Sequence, residues 1–305
     1  MVNVISGRMV FSEPLSYICR SQKKVCPYSS LKKVLYLSLE KFNMYESQML
    51  KNVNSPSEPL ASENVEMSRY IDLEAYHSVE RMHPYYIEMT DVLVSWLARI
   101  AEEKDVSIWE FGSGTGLSTE SLLQVQNVNV HASDIDINCC NTLEAYIGTH
   151  VGERLKISCA DATEFQSDEK FDAAISVFAH DHITYTDGVK LAKNIHRNLK
   201  KGSLYLLGGE LLPFFDSAEE NQHQFYEYHM FIIEKALREG HFELAKLEID
   251  ALRSGVQRIG DFKRHEVLLE EEMAAGGFKL KEKVKLGPDV PSDVGGVFAY
   301  AFESI

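Results

Sequence analysis

From residue 105 onward, short apolar runs alternate with amphipathic stretches, and this alternation restricts the fold more than any other feature. Residues 106–111, 128–132, 155–159, 171–178 and 203–207 read as strands, and 117–125, 138–147 and 187–200 as the helices between them. Strands that alternate with helices imply an α/β, doubly wound, mostly parallel sheet with helices on both faces. The run from Phe171 to Phe178 is apolar nearly throughout, as a strand covered on both faces should be. Near the end, 278–286 alternates with period two and 296–302 is a last apolar strand. Such a turn-linked pair adds one antiparallel strand at the C-terminal end.

Three helical segments lie outside this alternation. Residues 70–101 place Ile87, Leu93, Val94, Leu97 and Ile100 near one face. An insertion at about 214–254 carries Phe225, His229, Ile232 and Ala236 on one stripe, followed by a second helix over 241–253 that stops at Gly255. A further helix is expected over 266–275, before the Gly276-Gly277 break. The insertion reads as a helical lid.

The first 64 residues are of another kind. Residues 1–39 hold Arg8, Arg20, Lys23, Lys24, Lys32 and Lys33 against Glu13 alone, while the whole chain has a net charge of −15. Such a basic, serine-rich start is either an organelle transit peptide or a plain extension. Pro56 and Pro59 among serines mark a linker over 52–64. The expected division is therefore 1–64 as extension and linker, and 65–305 as one domain. The overall acidity argues against nucleic acid and against a polybasic membrane anchor as partners. No apolar run reaches the length of a membrane span. Five cysteines without framework spacing fit a reduced, cytoplasmic protein.

The loop after the first strand carries the chemistry. Glu110-Phe-Gly112-Ser-Gly114-Thr-Gly116 lets the backbone turn tightly and approach a ligand. No Gly-Lys-Ser/Thr follows, so it is not a P-loop. Glu110 would repel a pyrophosphate and would suit a ligand with an ammonium group; the alternative is a buried ion pair.

This E-x-G-x-G-x-G loop resembles motif I of the class I, Rossmann-like S-adenosyl-L-methionine-dependent methyltransferases. The resemblance continues in the family's order through Ser133-Asp134-Ile135-Asp136, Ala160-Asp161-Ala162, the fourth strand with His180-Asp181-His182, and Leu199-Lys-Lys-Gly202. It covers roughly 105–213 and 260–303 and implies a seven-stranded sheet. It also implies that the glycine loop backs the methionine part of the cofactor, that an acid after strand two holds the ribose hydroxyls, and that an acid after strand three contacts the adenine amine. A carboxylate suits a vicinal diol because it accepts two hydrogen bonds. Asp134 is placed for this, with Asp136 as competitor. Ile135 would pack on the adenine. Asp161, beside Ala162, is either the adenine contact or a helix cap.

His180 and His182 follow strand four, where ligands sit in open parallel sheets. Either is a candidate general base for a phenol, hydroxyl or amine, or a residue that shapes the pocket. A metal set with Glu210, His223 and His229 is a weaker alternative, and no metal ligand is assigned. Aromatic residues in 70–86 and 211–228 are the expected walls of the acceptor pocket, Tyr76, Tyr86, Phe214 and Phe225 among them. The expected activity is methyl transfer to O or N of a small organic molecule. The rivals are a protein methyltransferase, a non-catalytic cofactor-binding module and an NAD-dependent dehydrogenase. A homodimer stays open.

Overall fold

The computed structural model describes residues 2–5, 8–11, 66–69, 71–290 and 293–305. The transit-peptide reading, Cys19, Cys26, the linker over 52–64 and Tyr70 lie outside the described residues. Two compact units divide the chain, Met1–Ala61 and Ser62–Ile305. In the first, β1 (Val2–Ile5) and β2 (Arg8–Phe11) pair antiparallel as a hairpin.

The second unit is built on a seven-stranded sheet. Its strands are β3 (Val106–Phe111), β4 (Val128–Asp134), β5 (Leu155–Cys159), β6 (Phe171–Val177), β7 (Leu199–Leu211), β8 (Phe278–Gly287) and β9 (Gly296–Ser304). They lie in the order β5-β4-β3-β6-β7-β9-β8. Only β9 runs against the rest, pairing antiparallel with β7 and with β8. The chain winds outward from β3 through β4 to β5, then returns to β6 on the other side. That reversal opens a crevice at the carboxyl ends of β3, β4 and β6.

The two sheet faces are built differently. Along β9, Val297, Ala299 and Ala301 face one core, and Phe298, Tyr300 and Phe302 face the other. The small face receives α2 (Tyr86–Ile100) through Met89, Leu93 and Leu97. A Cβ on Gly208 of β7 would lie 2.6 Å from the Met89 sulfur, so the helix seats closely there only because this residue has no side chain. The aromatic face, with Trp109, Tyr205 and Tyr300, is covered by α5 (Gly188–Asn198) and α8 (Glu266–Ala275).

The lid is α6 (Ala218–Glu239) against α7 (Phe242–Gln257). Ser217 caps α6 by accepting from Glu220 N–H, and Gly240 ends it at a positive φ of 84°. Phe225, His229, Ile232 and Ala236 are all buried, as their spacing requires.

Three boundaries differ from expectation. The stretch 70–101 is not one helix: α1 (Leu73–Val79), capped by Asp72, gives way to a short turn at Glu80–Met82 before α2 starts. Pro84 forces His83 into an extended conformation and breaks the run. Helix α7 does not stop at Gly255, which lies inside it against the Phe225 ring. Helix α5 ends at Asn198, and Lys200-Lys201-Gly202 belongs to β7.

Candidate active site

The glycine loop leaves β3 and enters α3 (Leu117–Leu122). Gly112 has φ +60°, and a Cβ there would lie 2.4 Å from the Ala179 Cβ, so only glycine fits. Gly114, at φ +52°, has open space, its nearest neighbour being the Met67 methyl at 4.0 Å. The loop is fastened by Ser113 N–H donating to the Ser133 carbonyl at 3.1 Å and Gly114 N–H donating to Asp134 Oδ2 at 2.8 Å. The buried Ser113 hydroxyl has no hydrogen-bond partner among the described residues.

Asp134 ends β4 and lines the crevice. Its second oxygen accepts from Asp136 N–H at 2.9 Å. Burial pushes its carboxyl up in pKa, against the two N–H donors. Asp136 is engaged elsewhere: it caps α4 (Ile137–Ile147) through Asn138 N–H and accepts from Ser68 N–H at 2.7 Å. Ile135, Asp161 and Ala162 also line the crevice. Asp161 takes Thr163 N–H at 2.7 Å, an Asx-type turn.

Glu110 does not reach the crevice. It is fully buried beneath the loop, where its two oxygens accept from Ser118 Oγ at 2.5 Å and Thr119 Oγ1 at 2.6 Å. Burial pushes its carboxyl up to about 7, against those hydroxyls. Neither a direct contact to a ligand ammonium nor a buried ion pair is what this geometry provides; the residue pins the first turn of α3 under the loop. Gly116 is likewise turned inward, against Leu143.

The two histidines of strand four part company. His182 lines the crevice, and its Nδ1 lies 2.5 Å from the Gly260 carbonyl oxygen. A carbonyl only accepts, so Nδ1 carries the hydrogen and Nε2 the lone pair. The ring lies within electrostatic range of both Asp134 and Asp261. His180 is not brought to the crevice. Its ring is buried under the aromatic face, with Nδ1 at 3.1 Å from the Tyr205 hydroxyl and Nε2 at 3.6 Å from Glu272. Burial lowers its pKa. Its place beside His182 as a base candidate is therefore withdrawn. The residues of the metal alternative are not brought together: His180 sits under the aromatic face, His223 is exposed, Glu210 lies in β7, and His229 lies in α6. Among the described residues no group of three or more His, Cys, Asp or Glu is arranged to hold a metal.

The expected aromatic walls are present in part. Met67, Tyr76 and Tyr86 line the crevice, together with Phe178. His77 instead stacks on Tyr146 at 3.9 Å and meets Thr115 Oγ1 at 2.9 Å, tying α1 to the glycine loop. Phe214 is exposed, and Phe225 packs within the lid.

Beneath the lid lies a buried charged cluster that the sequence reading missed. Lys263 Nζ is held by Asp261 at 2.5 Å, Glu210 at 3.0 Å and Asp181 at 3.6 Å. His83 Nε2 bridges Glu210 at 3.0 Å and Glu248 at 3.6 Å, and His229 Nδ1 meets Glu248 at 2.8 Å. The Tyr228 hydroxyl donates to Glu210 at 2.5 Å. Burial opposes the charge on His83, but Glu210, Glu248 and Glu80 hold its pKa up at about 9. Burial also lifts Glu80, to about 8. The members come from six separate stretches of chain, so no local spacing announces them.

Residues 108–202 match the family model of a methyltransferase domain. No curated protein matches this chain in sequence. Among solved structures, an S-adenosylmethionine-dependent methyltransferase from Clostridium acetobutylicum is 13% identical, with a TM-score of 0.52, over 75% of this chain and 96% of that one. A Galdieria sulphuraria protein described as a sarcosine dimethylglycine methyltransferase is 11% identical at 0.52, over 72% and 86%. A chain of the Haloferax volcanii complex between the Trm112 methyltransferase activator and a methyltransferase is 14% identical at 0.52, over 76% and 97%. The domain match over 108–202 and the strand order give this chain the fold of the class I, Rossmann-like methyltransferases.

Proposed function

We propose that this enzyme methylates an oxygen or nitrogen atom of a small organic molecule, with His182 as general base. One observation carries the reading: His182 lines the crevice with Nδ1 committed to the Gly260 carbonyl, which leaves Nε2 able to take a proton. Enclosure supports a small acceptor, since Met67, Tyr76 and Tyr86 cover the crevice from residues 67–86.

The crevice suits the cofactor. Asp134 spends one lone pair per oxygen on a backbone N–H and keeps others for the ribose diol. The unpartnered Ser113 hydroxyl and the open face of Gly114 back the methionine part. Ile135 offers its side chain to the adenine, and Asp161, beside Ala162, accepts from the adenine amine. When bound, the cofactor supplies an electrophilic methyl group. The chain's own residues hold the two reactants in line, exclude water, and move the acceptor's proton to His182 Nε2.

A panel of small phenols, alcohols and amines, read by release of S-adenosylhomocysteine, tests this. Turnover of at least one class by the wild type, lost in His182→Ala, is expected. Transfer to peptides alone would overturn the reading.

A further inference from the structure

Strand β6 ends at Val177, and the next residue leaves the strand's alternation. Ala173, Ile175 and Val177 face the core under α2. Ala174 faces the aromatic side, where Ser176 Oγ meets the Tyr205 hydroxyl at 2.7 Å. A period of two would send Phe178 to that aromatic side as well. Instead Phe178 takes a φ of +48°, a left-handed conformation that a bulky side chain rarely adopts, and its ring packs on the same core as Val177. Its N–H donates to the Gly208 carbonyl at 2.8 Å, which fastens the turn. Backbone strain of this kind gathers at ligand sites.

The turn delivers the ring to the crevice, which it lines. The His83 and Tyr86 rings stand nearly perpendicular to it, with centroids at 5.1 and 5.5 Å. The Phe178 side chain is thus held by two aromatic neighbours while part of its surface stays open. Ala179, the next residue, abuts Gly112 of the glycine loop, and His182 lines the same crevice. Phe178 therefore belongs to the one turn that carries both the contact to the glycine loop and the base.

The walls around it are neutral. Among the described residues that line the crevice there is no Lys or Arg, and the carboxylates are Asp134 and Asp161, both given to the cofactor in the reading above. Tyr76 and Tyr86 keep their hydrogens, since burial and then the charge of Glu80 push both hydroxyls up in pKa. A carboxylate or phosphate on the acceptor would meet no cation, and an ammonium would find no free carboxylate. A flat uncharged ring loses least on entry and gains a stacking partner in Phe178.

We infer that the methyl acceptor is a planar aromatic compound without a charged group, and that Phe178 selects it by stacking on its ring. This rests on the reading of the crevice as the site of a small acceptor beside the cofactor.

The test titrates four probes of similar shape into full-length enzyme saturated with S-adenosylhomocysteine: 4-ethylphenol, 4-ethylcyclohexanol, 4-hydroxyphenylacetate and tyramine. All keep the hydroxyl; they vary the flatness of the ring or the charge at its far end. 4-Ethylphenol should bind at least about threefold more tightly than 4-ethylcyclohexanol, and at least about tenfold more tightly than either charged probe. Phe178→Leu should bring the phenol and the cyclohexanol within about twofold of each other, and Phe178→Tyr should keep the wild-type difference. A residue that only supports the fold would shift both probes alike and leave their ratio unchanged. Equal binding of phenol and cyclohexanol by the wild type, a ratio that survives Phe178→Leu, tightest binding of a charged probe, or binding of none of the four would overturn the inference. If Phe178→Leu no longer binds S-adenosylhomocysteine, a crystal structure of the wild-type complex with 4-ethylphenol decides: a probe ring stacked on Phe178 is expected, and one lying away from it would overturn the inference. Failure of S-adenosylhomocysteine to bind the wild type would instead strike at the methyltransferase reading itself.

Discussion

His182 donates from Nδ1 to the carbonyl oxygen of Gly260 at 2.5 Å, across 78 residues of sequence. The bond joins the turn after β6 to the chain that leaves the lid, just before Asp261 and Lys263. It fixes which nitrogen of the ring carries the hydrogen, and so gives the crevice a base of defined orientation. It also couples that base to the buried charges on its far side.

Replacing His182 with alanine should lower turnover by about 10²–10⁴-fold if it takes the acceptor's proton. Affinity for S-adenosylhomocysteine should stay within a few fold, and the loss should fall on kcat. A rise in KM with kcat unchanged would make it a positioning residue instead. The readout is turnover against acceptor concentration for wild type and variant.

Two truncations divide the N-terminal region. A chain starting at Ser62 should keep its affinity for S-adenosylhomocysteine, because the second compact unit begins there. A chain starting at Tyr86 should lose it, because Met67 and Tyr76 line the crevice and Ser68 N–H holds the Asp136 cap. Calorimetric titration of both reads the difference; equal affinities would contradict the covering role of 67–86.

His83 sets a pH dependence of stability. Its pKa in the fold, about 9, exceeds the ordinary 6.5, so the folded state holds the proton more tightly. The stabilisation is complete below pH 6.5 and is lost as pH rises through about 9. Glu80, lifted to about 8, acts in the same direction, since its folded form prefers to be protonated. Thermal midpoints should therefore fall from pH 6.5 to 9, and His83→Gln should flatten the upper part of that fall. Removing this cation from Glu210 and Glu248 should cost about 3–5 kcal/mol near neutrality. Differential scanning calorimetry across this range is the check.

Gly255→Ala should destabilise the lid, although alanine is the better helix former by about 0.5–1 kcal/mol. The new Cβ would sit 2.3 Å from Phe225 Cε1 in a fully buried ring. Overpacking of that kind costs about 1–3 kcal/mol, so the clash outweighs the propensity. A raised thermal midpoint would show that the two lid helices can separate freely.

The sheet was legible because its strands are apolar runs punctuated by glycine and charge, and because Asp134 and Asp161 follow those runs directly. Local pattern said less where tertiary packing decides. Gly255 reads as a stop in sequence but is a seat for Phe225. His180 and His182 are two residues apart, yet a short helical turn sends one ring under the aromatic sheet face and the other to the crevice. Glu110 follows the family pattern, but its burial under the loop is set by two hydroxyls on α3. The lid cluster was invisible because its charges come from residues 80–83, 181, 210, 229–248 and 261–263, which only the fold brings together.

Calorimetric titration of the wild type and Asp134→Asn with S-adenosylhomocysteine, and of the wild type with NAD, tests the account most directly. The wild type should bind S-adenosylhomocysteine at one site and show no heat with NAD. Asp134→Asn keeps one oxygen for only one of the Gly114 and Asp136 amides and turns its N–H2 toward the other, so the thermal midpoint should fall modestly while the variant still folds. It exchanges the charged acceptor for a neutral one, and affinity should fall by about tenfold or more, since hydrogen bonds to a charged group are worth about 1.5–3 kcal/mol. Binding of NAD instead, or an affinity for S-adenosylhomocysteine indifferent to Asp134, would contradict the assignment of this crevice as the cofactor site.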